Sequence, residues 1–308
     1  MKFKNYELIP NLRDNLKPDW KEMLNPSKPR NIVPDIYANM PFLSKSEKLL
    51  LNLDISLVGK DILEVGCGYG SHAYLMAKYE GTRVHAIDVD DYYVNQSIDL
   101  NIWNPEDIEL MHNKLDVVRQ ELGKKFPKCI ADKVTFETVG MESYATPNLH
   151  DIIISWDVLE HILDLPLAFN QMANAVKKDG IVIHEYNPFF SLTGGHSLCT
   201  LDFHFGHCRL SKEDFKQYIK ELRPNEEKAT LNFYNKCLNR ATISDIKKYA
   251  TQSGFEILKV GGHIPFPAPE LEIREELEKD ILPDVIKLYP NVTVEDLLWD
   301  SVHIILRR

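Results

Sequence analysis

Between residues 60 and 186 short apolar runs alternate with amphipathic stretches, and this alternation predicts a parallel α/β sheet wound with helices. The apolar runs at 61–65, 83–88, 133–139, 151–156 and 181–185 read as five strands. The fourth, Asp151-Ile-Ile-Ile-Ser-Trp156, is nearly continuous in apolar character, as a strand covered on both faces requires. The stretches between predict helices over 71–79, near 91–100, over 108–126 as far as Pro127, and over about 166–177, with Asp179-Gly180 closing the last. After Glu185 the alternation stops. Residues 187–210 hold Pro188, Gly194, Gly195, Gly206 and three histidines, too much irregular chain for an inert connection, and read as an insertion. Helices then follow near 212–222 and 243–253, a sixth strand at 255–260, acidic helices from about 270 to 288, and a seventh strand at 302–306. Residues 1–58, rich in Pro, Asn and Lys with a helical stretch near 44–53, read as an N-terminal helical extension or lid.

Candidate chemistry is densest where the first strand meets the first helix, in Asp61-Ile-Leu-Glu-Val-Gly-Cys-Gly-Tyr-Gly70-Ser-His. Glycines at 66, 68 and 70 let backbone amides approach a ligand where a Cβ would clash. A dinucleotide fingerprint spaces its glycines Gly-x-Gly-x-x-Gly and seats a pyrophosphate on the helix N-terminus. Here the spacing is Glu64-x-Gly66-x-Gly68-x-Gly70, and the leading carboxylate would repel a pyrophosphate while suiting a cationic amino acid. Asp88 closes the second strand, near the spacing of about 20 residues expected of an acid that takes ribose hydroxyls.

The glycine loop and Asp88 together resemble motif I and its partner acid in the class I S-adenosylmethionine (SAM) methyltransferases, and Lys178-Asp179-Gly180 before the fifth strand adds to the likeness. The resemblance covers residues 60–186 by motif and 240–308 by pattern. It implies a doubly wound, seven-stranded, mostly parallel Rossmann-like sheet with the last strand antiparallel. It also implies a SAM-binding domain over 59–308, with a substrate-side insertion at about 187–240. Glu64, Gly66, Cys67, Gly68 and Gly70 then fall to the methionine end of the cofactor and Asp88 to its ribose. Met141 and Glu142 fall to the adenine, Met141 standing where an Asp is common, and Asp157 to the wall beyond the fourth strand.

That wall reads Trp156-Asp-Val-Leu-Glu-His161. Glu160 and His161 can serve as orienting groups for the loop, as the widespread Val-Leu-Glu-His element does in this family. A second reading is a metal site. Asp157, Glu160 and His161 stand at i, i+3 and i+4, which a helical turn would bring to one face. The spacing resembles the metal-binding element of methyltransferases that hold vicinal hydroxyls with a divalent ion, including small-RNA 2′-O-methyltransferases, and His207 before the Ser211-capped helix would complete the set. Carboxylate plus imidazole suits Mg²⁺, Mn²⁺, Fe²⁺ or Zn²⁺. Without a metal, transfer to oxygen needs a base. The candidates are His161, His184, His196, His204 and His207, with His207 and His204 favoured because the insertion should cover the substrate. Tyr186, Phe189, Phe190, Phe203 and Phe205 either line an acceptor pocket or pin the insertion.

Composition narrows the function classes. The 308 residues carry 36 basic and 46 acidic side chains, a net charge of −10, which leaves no general nucleic-acid footprint. No apolar run approaches a membrane span, and the opening Met-Lys-Phe-Lys-Asn-Tyr-Glu lacks a signal-peptide core, so a cytoplasmic location is expected. The five cysteines form no Cys-x-x-Cys pair and are expected to be reduced. The expected function is SAM-dependent methylation of a hydroxyl on a small molecule or sugar, with or without a metal. An RNA-end or protein methyltransferase and a non-catalytic SAM-binding module are the alternatives. Oligomeric state is not legible.

Overall fold

The computed structural model describes residues 6–18, 20–21, 37, 50–89 and 114–308. The helix expected near 91–100, the first part of that over 108–126 and most of that near 44–53 lie outside the described residues. Seven strands form one sheet: β1 (Asp61–Val65), β2 (Arg83–Asp88), β3 (Val134–Thr138), β4 (His150–Trp156), β5 (Val176–Tyr186), β6 (Glu256–His263) and β7 (Ser301–Arg307). Their order is β3-β2-β1-β4-β5-β7-β6. β1 pairs in parallel with both β2 and β4, and β7 runs antiparallel between β5 and β6. Consecutive crossovers therefore diverge at β1 and β4, which opens a crevice beyond their carboxyl ends.

The apolar runs explain the centre of this sheet. Leu63, Ile153, Ile154 and Ile183 are wholly buried, each contributing about 1.5–3 kcal/mol relative to exposure. Helices cover the faces: α2 (Ser71–Met76), α3 (Lys114–Gly123), α4 (Leu165–Ala175) and α7 (Ile243–Gln252). α7 is fixed at its start by a capping box in which Thr242 and Asp245 exchange side-chain and backbone bonds. β5 begins earlier than the periodicity predicts. His150 pairs with Val176 and Ile152 with Ile181, so Lys177–Gly180 loop out of the strand as a bulge with Asp179 at φ 63°.

The insertion builds a second core. Helices α5 (Lys212–Leu222) and α6 (Glu227–Lys236) pack with α8 (Glu270–Glu276) and α9 (Val294–Leu298) around Phe189, Phe190, Phe203, Phe205, Phe215 and Phe233. Phe215 stacks on Tyr234 at 4.1 Å. The aromatics of the insertion thus pin it, while Tyr186 belongs to the core of the sheet. The acidic helices expected from about 270 to 288 are α8, a π turn over Leu277–Ile281 and a single turn over Leu282–Val285, where Pro283 removes a backbone donor.

A short N-terminal helix, α1 (Leu12–Leu16), docks on the insertion. Ile9 N donates to Asp202 O, and the buried Arg13 donates through Nε to Ser197 O and through Nη1 to Glu226, at 2.6, 3.1 and 2.7 Å. Tyr6 stacks on Phe203. Among the described residues no helix is long and apolar enough to cross a membrane.

Candidate functional site

The crevice beyond β1 and β4 holds a cavity of about 370 Å³. The turn after β1 supplies Gly66 and Gly68, the end of β2 supplies Ile87, Asp88 and Val89, and the turn after β3 supplies Val139, Gly140, Met141 and Glu142. Trp156, Asp157, Val158, His161 and Ile162 close it from β4, and Leu115 from α3. Among the described residues no lysine or arginine lines it, whereas three carboxylates do. Such a lining suits a ligand that carries positive charge and no phosphate.

The glycine loop is built for close approach. Gly68 has φ 49°, and a Cβ there would meet nothing within 4 Å, so its face is open to a ligand. Gly66 is different, because a Cβ would stand 2.2 Å from a methyl of Val158. Asp88 secures the loop from β2: its Oδ2 accepts from Gly68 N at 2.5 Å and its Oδ1 from Val89 N at 2.7 Å.

Three residues expected at the cofactor stand behind the loop, outside the cavity lining. Glu64 is 1% exposed and faces His72 of α2, with Nδ1 and Oε1 3.4 Å apart. Burial pushes its carboxyl above the ordinary range and His72 pulls it back. Gly70 packs against Phe136, and Cys67 is buried with Arg119 Nη2 donating to its sulfur at 3.5 Å. Arg119 is the residue sequence reasoning missed. From α3 its buried guanidinium also donates Nε–H to Gly68 O at 2.8 Å, clamping the loop across 51 residues of chain. No local pattern marks a contact of that kind.

The expected metal set does not assemble. Asp157 sits in the left-handed region, φ 53°, and the helical geometry begins only at Leu159, as one 3₁₀ turn over Leu159–His161. The i, i+3, i+4 face that would unite Asp157 with Glu160 and His161 is therefore never formed. His207 is buried with its Nε2 bonded to Phe189 O at 2.7 Å, and it does not line the cavity. His204 is exposed on the insertion, also off the lining, and His184 is buried beside Ser155. Of the five histidines considered as bases, His161 alone lines the cavity, and the two favoured ones, His204 and His207, do not.

Around His161 the structure gathers a different group. Glu160, His161 and His196 bring one potential ligand atom each within 4.8 Å of one another. His161 Nδ1 donates to Cys237 O at 2.6 Å, and burial holds the imidazole neutral, with its pKa pushed down to about 4. A neutral ring protonated on Nδ1 carries its lone pair on Nε2. Asn239 latches this turn, donating from Nδ2 to Leu159 O and Ile162 O at 2.8 and 2.9 Å. Asp157 faces the cavity, where burial first and the charge of Glu185 second push its carboxyl up, while Lys17 pulls the other way.

No curated protein matches the chain by sequence. Among solved structures, a sarcosine dimethylglycine methyltransferase of Galdieria sulphuraria, so described provisionally, is similar at 13% identity and a TM-score of 0.47, over 88% of this chain and 85% of that one. A SAM-dependent methyltransferase of Mesorhizobium loti is similar at 11% identity and 0.49, over 89% and 100%. A phosphoethanolamine N-methyltransferase of Haemonchus contortus is similar at 20% identity and 0.48, over 86% of this chain and 52% of that one. A family model described as a methyltransferase domain matches residues 40–260. With a matched domain spanning most of the chain and a seven-stranded sheet in the order β3-β2-β1-β4-β5-β7-β6, the chain belongs to the class I SAM-dependent methyltransferases.

Proposed function

We propose that this methyltransferase acts on a hydroxyl of a small molecule. The observation that carries the reading is the cavity itself: one concave space joins the open face of Gly68 and the carboxylate of Asp88 to Asp157 and His161. SAM, when bound, supplies an electrophilic methyl group on a sulfonium. Gly66, Gly68 and Asp88 would hold its methionine and ribose parts, and Met141 and Glu142 would flank its adenine. Trp156, Val158 and Ile162 give the rest of the space apolar walls that exclude water. An acceptor oxygen placed in line would take that methyl group, with the electron pair of the broken carbon–sulfur bond staying on sulfur. The hydroxyl proton must leave in that step. Asp157 and His161 are the groups on this wall able to take part in its removal. The net charge of −10 disfavours a long nucleic-acid acceptor.

Calorimetric titration with SAM and with its demethylated product, followed by a tritiated-methyl assay over a panel of hydroxyl, amine and thiol acceptors, tests the reading. Saturable binding of both nucleosides and label on an oxygen are expected. Label found only on nitrogen or sulfur would overturn the oxygen assignment. A salt-sensitive RNA complex would shift the acceptor to RNA ends, and binding without transfer to any acceptor would leave a SAM-binding module.

A further inference from the structure

Glu160, His161 and His196 come from two parts of the chain, the turn after β4 and the insertion, yet their ligand atoms converge within 4.8 Å. Two polar atoms in the group are buried and have no hydrogen-bond partner: Oε2 of Glu160, a residue 2% exposed, and Nε2 of His196. Nε2 of His196 lies 4.0 Å from Oε1 of Glu160, too far for a hydrogen bond. The gathering of all three ligand atoms within 4.8 Å suits donors that small side-chain shifts would let share one ion, since zinc-type bonds of about 2.0–2.2 Å place neighbouring ligands roughly 3–4 Å apart. The third member is oriented as metal-bound imidazoles usually are, with its other ring N–H given to a backbone carbonyl, here Cys237 O. Asn187 N meanwhile donates to Oε1 of Glu160 at 3.1 Å, which fixes the carboxylate and leaves Oε2 for a ligand.

We propose that Glu160, His161 and His196 form a site for a single first-row divalent cation of the class Mn²⁺, Fe²⁺, Co²⁺ or Zn²⁺. Two imidazoles and a carboxylate favour these borderline ions over Mg²⁺ and Ca²⁺, which prefer oxygen throughout. Three protein ligands would leave coordination positions open, and His161, which lines the cavity, would join the ion to the space where the methyl donor would bind. Resting on the reading of this cavity as the place of transfer to oxygen, the ion would bind the acceptor's oxygen and make its hydroxyl more acidic. Asp157, on the same wall, would then receive the proton. Lys17 opposes the ion's charge, and the carboxylates of Asp157 and Glu160 favour it.

Titration of metal-free protein with Co²⁺, followed by ligand-field absorption and by competition with Zn²⁺, tests the site without reference to turnover. One equivalent should bind saturably, and X-ray absorption of the cobalt-loaded wild type should count two imidazoles in its shell. His196→Gln and Glu160→Gln should each weaken Co²⁺ at least by the roughly 10- to 100-fold that loss of an outer-shell partner costs. His263→Gln, at an exposed pair with Asp300, should leave it unchanged. Circular dichroism and SAM titration of each variant separate a lost ion from a lost fold. Wild-type protein that takes up no cobalt, a shell without two imidazoles, or variants that bind as wild type would overturn the site. SAM binding without cobalt uptake would do so while the cofactor reading stands, and cobalt uptake without SAM binding would leave the ion site and remove the cofactor reading.

Discussion

The three glycines of the loop look alike in the sequence and differ in what surrounds them. Gly68 faces open space, while a Cβ on Gly66 would strike Val158 and one on Gly70 would strike Phe136. Gly68→Ala therefore pays mainly for its left-handed backbone, about 1–2 kcal/mol, and places a methyl where the cofactor must approach. Gly66→Ala pays the same strain and displaces a packed valine as well. The expected outcome is that Gly68→Ala loses cofactor affinity out of proportion to its stability loss, whereas Gly66→Ala loses both. Chemical denaturation beside SAM calorimetry checks this, and equal stability losses in the two variants would contradict it. At this scale the sequence was readable where chemistry is local: the glycines and Asp88 announce themselves by spacing. Arg119 does not, and His196 stands only as one of five candidate bases, because their partners lie far along the chain and only folding brings them near.

The elements tell a similar story about range. Strand β4 and helix α5 follow from their periodicity almost to the residue, since apolar spacing and a Ser211 cap are local facts. The turn after β4 is where local reasoning fails. Helical spacing of Asp157, Glu160 and His161 invites a helix, but the turn is shaped from outside by Asn239, whose backbone N–H also donates to Glu160 O at 2.9 Å. Three bonds from one residue hold the segment that carries His161. Asn239→Ala should cost on the order of 1–3 kcal/mol, because the side chain's two buried carbonyl partners would be stranded. It should also raise hydrogen exchange at His161 and Ile162 ahead of the sheet. Amide exchange by NMR checks this, and a uniform rise throughout the fold would argue that Asn239 does not act locally.

For the whole molecule, the buried histidines set the response to acid. Burial first, then the neighbouring His85, pushes the pKa of His150 down to about 4, and burial pushes that of His184 down to about 3. Both start from about 6.5 in the unfolded chain. Between those values the unfolded state holds the extra proton, so their stabilising effect is complete above about pH 6.5 and is lost as pH falls towards 4 and 3. The slope is about 1.4 kcal/mol per pH unit for each histidine inside its window. Unfolding free energy measured from pH 7 to pH 4 should fall accordingly, and His150→Gln should flatten the curve. A variant with an unchanged slope would remove His150 from the account.

The docking of α1 on the insertion has a consequence for anyone who would re-engineer this enzyme. Arg13 is 4% exposed, with its guanidinium committed to Ser197 O and to Glu226. A graft that replaced residues 187–240 alone would strand that charge in an apolar interior, and deletion of the first 18 residues would uncover the graft's landing surface. The two segments, distant in sequence, are held together by these bonds and must be exchanged as one.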